Sequence, residues 1–338
     1  MSTKLLLPEN FAARPATMDD VEAVVELLNA CSIEQIGRPR VEVDEIRTDW
    51  QQPTFNLETD TLVVFAPDGK LAGHAALWDS GPHVRIFVAG DVHPEYKGQG
   101  IGTSLCQWAE ERARQAVSKA PEGARVVLMQ EKLSTNEPAR ALLREQGYQL
   151  VRHGFRMVIE MNGLPPEPIV PAGLTIRTFA RERDARAVVQ AVREAFQDHW
   201  GYVEQPFEEE YQEWVHWMDN DPRYDPSLWF LAVDGEEIAG LSLCCPRTVE
   251  DPEMGWVDAL GVRRPWRRRG LALALLHHSF GELYRRGKRK VGLGVDAQSL
   301  TGATRLYKKA GMHVDRRYDT YENELRPGED LSTQSMVS

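Results

Sequence analysis

The sequence predicts an α/β fold with a mixed, α+β-like sheet, built twice in tandem. Three observations carry this. A strand–turn–helix unit occurs at 84–116 and again at 256–284. The elements around it run in the same order in both halves. Between the halves, Gly163–Gly173 carries Pro165, Pro166, Pro168 and Pro171. At 338 residues the chain has room for two ordinary domains, each with its own core.

The elements follow in order. Each half opens with a short strand, at Arg14 or Arg177, that leads into a helix. Apolar residues recur there at helical spacing: Val21, Val24, Val25 and Leu28, then Ala185, Val188, Val189 and Val192. A hairpin comes next. Pro67-Asp68-Gly69-Lys70 turns between Leu62–Ala66 and Leu71–Leu77, and Asp234-Gly235-Glu236-Glu237 between Trp229–Val233 and Ile238–Leu243. After the strand–turn–helix unit come a further strand (Val126–Gln130; Val291–Val295), a second helix, and a turn at Gly147-Tyr148 or Gly311-Met312. The expected division is a first domain over 1–162, a connector over 163–173 where prolines forbid a helix, and a second domain over 174–325. The polar tail 326–338 is expected to be disordered.

Composition excludes several function classes. A net charge of -11 opposes general nucleic-acid binding, which needs excess positive charge. No apolar run approaches a membrane span and Met1–Asn10 lacks a signal pattern, so the expectation is a soluble, cytoplasmic protein without membrane contact. Cys31, Cys106, Cys244 and Cys245 show no paired metal-ligand spacing and read as buried small residues. His277 and His278 are neighbours on a helix, about 100° apart, and poorly placed to share a metal. The expectation is therefore no metal. The cluster Arg285–Lys290 ends that helix, where positive charge suits the dipole.

Chemistry concentrates in the repeated turn. In Val262–Ala272, Gly270 and Ala272 let the backbone turn tightly into a helix and approach a ligand closely. The unpaired amides of a helix start suit a phosphate or pyrophosphate, and Arg267, Arg268 and Arg269 raise the local potential. The first copy, Val92–Gly102, carries Lys97, Gly98, Gln99, Gly100, Ile101 and Gly102. Both copies resemble motif A of the GNAT acetyltransferase family, Arg/Gln-x-x-Gly-x-Gly/Ala. Residues 267–272, with Leu271 between the small pair, match fully, whereas Lys97 stands where arginine or glutamine is expected. Ala303–Met312 resembles motif B, Ala-x-x-Leu-Tyr-x-x-x-Gly-Phe. The resemblance spans about residues 11–325 and is similar to the tandem GNAT enzymes related to mycothiol synthase.

That resemblance implies a mixed sheet whose parallel strands splay around acetyl-coenzyme A (acetyl-CoA), the acetyl donor, with a small-molecule amine as the usual acceptor. It places donor contacts on Leu260, Gly261, Val262 and Arg267–Ala272, with Val92 and Lys97–Gly102 in the first copy. It puts Tyr307 near the coenzyme sulfur and makes Asp258 a candidate base, acting directly or through water. Counting back from motif A sets Val88 in the place of Asp258, and counting back from Gly147 sets Leu143 in the place of Tyr307. The first domain is therefore expected to be inactive and the second to carry the reaction. The insert Gln197–Ser227 is rich in acids and aromatics, suited to a cationic amine or, more plainly, to an amphipathic helix over Phe207–Met218. Two rival functions stay open, a non-catalytic acyl-CoA sensor and a protein or peptide acetyltransferase. A Rossmann enzyme fits poorly, because the glycine turn follows several strands and no downstream ribose-binding acid is evident.

Overall fold

The computed structural model describes residues 7–335. The first half runs β1 (Ala12–Arg14), α1 (Val21–Ile36), α2 (Val43–Trp50), α3 (Leu57–Asp60), β2 (Thr61–Phe65), β3 (Leu71–Trp78), β4 (Arg85–Val92), α4 (Ile101–Ala116), β5 (Val126–Leu133), α5 (Glu137–Glu145) and β6 (Gln149–Glu160). The second runs β7 (Thr175–Thr178), α6 (Arg181–Phe196), α7 (Phe207–Asn220), β8 (Trp229–Asp234), β9 (Glu237–Cys245), β10 (Met254–Val262), α8 (Leu271–Arg285), β11 (Lys290–Asp296), α9 (Ala303–Lys309) and β12 (His313–Arg326). The order expected from the repeat is present. The connector 163–173 holds neither helix nor strand, as its prolines require.

The compact units are not contiguous in sequence. One comprises residues 7–152 with 318–331, the other 153–317 with 332–335. This corrects the division expected at the prolines, and the cause is strand pairing. In the first unit β5 pairs antiparallel with Tyr318–Arg326, the C-terminal part of β12. In the second, β11 pairs antiparallel with Gly154–Glu160 of β6. Each last strand would otherwise leave a row of open backbone groups. Inside each unit the preceding strands form an antiparallel meander, β1-β2-β3-β4 or β7-β8-β9-β10, joined by one parallel pair, β4 with β5 or β10 with β11.

A core forms in each unit beneath the predicted helices. In the first unit Val21, Val24, Leu27, Leu28 and Cys31 of α1 pack with Ile46, Trp50 and Val63. In the second Leu271, Leu275, Leu276, Phe280 and Leu283 of α8 pack against Phe230, Val257 and Val291. The tail departs from expectation, since residues 327–335 are held in place. Glu329 exchanges backbone hydrogen bonds with Gly123 and Arg125, at 2.8 Å each, and Thr333 does so with Gly201 and Tyr202 at 2.8 and 2.9 Å. A polar composition hides such bonds because they are made by backbone. Residues 336–338 of the expected tail, and the start of Met1–Asn10, lie outside the described residues.

Candidate active site

The two motif-A turns share one backbone path. Gly98 and Gly100 have φ of +76° and +85°; Arg268 and Gly270 have +62° and +87°. An arginine thus holds a left-handed conformation in the second turn where the first has glycine. Each turn opens a helix in the same way: Ser104 N–H donates to Gly100 C=O, and Ala274 N–H to Gly270 C=O, both at 3.1 Å. The amides ahead of these have no carbonyl of the helix behind them and aim outward as donors.

Arg267 does something the motif does not announce. Its Nε donates to Val262 C=O at 2.9 Å, Nη1 to Asp198 at 2.5 Å, and Nη2 to Ala195 C=O at 3.1 Å. The guanidinium therefore staples the turn to the end of α6. Asp198 also accepts from Arg264, at 3.0 Å through Nε. The Arg264 hydrogen bond is the main reason its pKa drops to about 2, with Arg267 adding to it. Lys97, the counterpart of Arg267, instead forms an ion pair with Glu34.

Behind each turn the parallel strands separate. The β10–β11 register ends at Val257–Leu293, and the β4–β5 register at Phe87–Met129. In the second unit this opens a cavity of 380 Å³, lined on one side by Leu260, Gly261 and Val262 and on the other by Thr301, Leu306 and Tyr307. Arg267, Arg268, Gly270, Leu271 and Ala272 line its mouth. Arg269 is not among them; it reaches Ala172 C=O at 3.2 Å. In the first unit the cavity measures 480 Å³ and takes in Val92, Lys97, Gly98, Gly100, Ile101 and Gly102, but not Gln99.

Tyr307 is 7% exposed, and burial alone pushes its hydroxyl up to about 12. Asp258 lies outside the lining of this cavity. It is the extra residue of a bulge: β9–β10 pairing steps from Val257–Cys244 to Ala259–Leu243 and leaves it without a cross-strand partner. The overlay by counting is therefore corrected. Val88, which faces Leu77, is the counterpart of Val257, and Asp258 has no equivalent in β4. The Asp258 side chain is reached by solvent yet crowded by protein. That crowding raises its pKa to about 6, against the lowering pull of a 2.7 Å hydrogen bond from Cys245 and the charge of Arg223.

Several site residues escaped sequence reasoning. Cys245 is buried, as expected, but donates to Asp258. Only its adjacency on a strand to Cys244 hinted that one of the two faces away from the core. His199 lines the second cavity, its ring 4.4 Å from that of Phe196, and burial followed by the charge of Arg267 lowers its pKa from the usual histidine range. In the first unit Lys132 spans the splay and donates to Gly90 C=O at 2.9 Å. Asp91 pairs with Arg40 at 2.6 Å where the second unit has Gly261. Burial would raise the Asp91 carboxyl, but Arg40 and Lys132 together hold it below the usual range.

The insert resolves largely into the plain reading. Helix α7 sets Trp214, Trp217 and Met218 against the second unit's core beside Trp229. Its acids are mostly engaged: Glu208 pairs with Arg186, and Glu210 with Arg193 at 2.7 Å. With Asp198 bound by Arg264 and Arg267, the acidic surface expected to attract a cationic acceptor is largely neutralised from within.

The comparisons agree with this geometry. A family model described as "Acetyltransferase (GNAT) family" matches residues 21–148 and again 189–312. The chain is a member of the GNAT family. It carries two GNAT regions and is an acyltransferase, and the family to which it belongs uses acetyl-CoA. A crystal structure of a GCN5-related N-acetyltransferase from Sphaerobacter thermophilus is similar, with 40% identity, a TM-score of 0.79, and coverage of 97% of this chain and 100% of that one. A mycothiol acetyltransferase from Geodermatophilus obscurus is 28% identical over 86% of this GNAT chain and 90% of its own. Another, from Salinispora arenicola, is 30% identical over 74% and 77%. A tandem GNAT protein from the clavulanic acid biosynthesis pathway shares the fold at 18% identity, with a TM-score of 0.70 over 94% of this chain and all of its own. Among the described residues no helix is long and apolar enough to cross a membrane.

Proposed function

We propose that this chain moves an acetyl group from acetyl-CoA to the amine of a small molecule, and that the second unit carries the reaction. The observation that supports this best is Tyr307 on the wall of the second splay, where the first has Leu143. Acetyl-CoA supplies the acyl group as a thioester. The amides opening α8 offer donors to its pyrophosphate, with Arg267 positioning the turn and Arg268 at the mouth. Past Val257 the edge of β10 facing β11 is unpaired, so its amides are free to stabilise charge on the thioester oxygen.

Asp258, with its pKa near 6, is ionised at neutral pH and remains a fair acceptor for the proton an attacking ammonium must lose. Tyr307 stays protonated throughout that range and serves as donor to the departing thiolate. The first unit has the turn but neither group, and Lys132 bridges its splay. It reads as a site that holds a coenzyme A derivative without transferring from it. The relatives named mycothiol acetyltransferases favour a small-molecule acceptor over a peptide.

The test is release of free thiol from acetyl-CoA across a panel of small amines, amino sugars included, beside lysine and N-terminal peptides. Turnover confined to small amines is expected. Turnover confined to peptides overturns the acceptor class, and coenzyme binding with no turnover on any amine favours the sensor.

A further inference from the structure

The first cavity runs deeper than the second. Beyond the turn it reaches Ala75, Val88, Leu105, Cys106, Ala109 and Leu143, residues of β3, β4, α4 and α5 buried in the core. Helix and strand register give their counterparts in the second unit. Ala75 matches Ser242, Cys106 matches Leu276, and Ala109 matches Ser279. There the two serine hydroxyls bond each other at 2.8 Å, Leu276 is wholly buried, and none of the three borders the cavity. The first unit thus sets two alanines, a cysteine and a leucine where the second has two serines, a leucine and Tyr307, and its cavity is the larger of the two, 480 against 380 Å³. The inner wall is apolar apart from the buried amide of Gln130, whose Nε2 lies 3.8 Å from Cys106 Sγ.

We propose that the first unit binds acyl-CoA whose acyl chain is longer than acetyl, with the chain lying in this inner recess. The inference rests on the reading that this unit holds a coenzyme A derivative. An apolar recess continuous with a pyrophosphate turn suits a ligand with an anionic head and an apolar tail, and each buried methylene adds affinity. The cavity of the second unit ends at Tyr307 among its lining residues and does not reach the serine pair.

The experiment uses the full chain with Ala272→Glu, which sets a carboxylate in the second turn. Calorimetry then compares CoA, acetyl-CoA and octanoyl-CoA. Octanoyl-CoA is expected to bind at least about tenfold tighter than the other two. Cys106→Leu, which installs the side chain of the second unit, is expected to remove that advantage, so that the octanoyl-to-CoA affinity ratio falls about tenfold. Should this variant melt early, Ala75→Ser with Ala109→Ser rebuilds the serine pair and must give the same loss of ratio. Equal affinity for all three ligands overturns the long-chain inference alone. No binding of any of them overturns the coenzyme reading of the first unit beneath it.

Discussion

The two halves share a strand, a turn and a helix but differ in what stands behind the turn. In the second, a buried phenol meets the splay and a bulged aspartate lies on β10, one of the two separating strands. In the first, the splay is crossed by a lysine, the phenol is a leucine, and no bulged residue exists. On the proposed reading, binding and transfer are separable within one fold: both turns offer amide donors to a diphosphate, whereas the candidate proton-transfer groups stand in the second half alone.

The sharpest way to break that comparison is to close each turn in turn. Ala272→Glu is expected to lower turnover by about a thousandfold or more, since a carboxylate would repel the pyrophosphate, while Gly102→Glu leaves turnover within about twofold. If the second variant is the inactive one, the assignment of the halves is reversed. Next comes the phenol. Tyr307→Phe should reduce kcat about a hundredfold with little change in KM for acetyl-CoA, as for loss of a general acid, and Leu143→Phe should not alter kcat.

Asp258→Asn is expected to cost about tenfold to a hundredfold in kcat/KM for the amine. The pH profile sharpens this further. The carboxylate must be ionised to accept a proton, so kcat/KM of the parent should fall as pH drops through about 6, and that acid limb should vanish in the variant. The smallest effect concerns the staple. The lowered pKa of Asp198 contributes stability above the unfolded value of about 3.9, lost as pH falls towards about 2. Asp198→Asn should therefore lower the stability of the second unit by about 2 kcal/mol at neutral pH, with the difference from the parent shrinking in acid melts.

Much of this was legible from residue order. The duplication, the helix at Ile101–Ala116, both hairpins and the paired turns follow from periodicity and small-residue spacing, and the structure has them. The bulge was not, because one extra residue in β10 is invisible when two copies are aligned by counting from a shared motif. Nor was the task of Arg267: a basic residue in a phosphate-binding motif reads as a ligand contact, and only its three protein partners reveal the staple. The neutralised acids of α7 were hidden for a similar reason, since sequence shows a charge but not the arginine opposite it.

The placement of Tyr318–Arg326 beside β5 has a consequence for synthesis. A ribosome must make all of residues 153–317 before the earlier-made unit receives this strand. Until then that nascent sheet exposes an open margin inviting aggregation, a period in which chaperone capture would matter most.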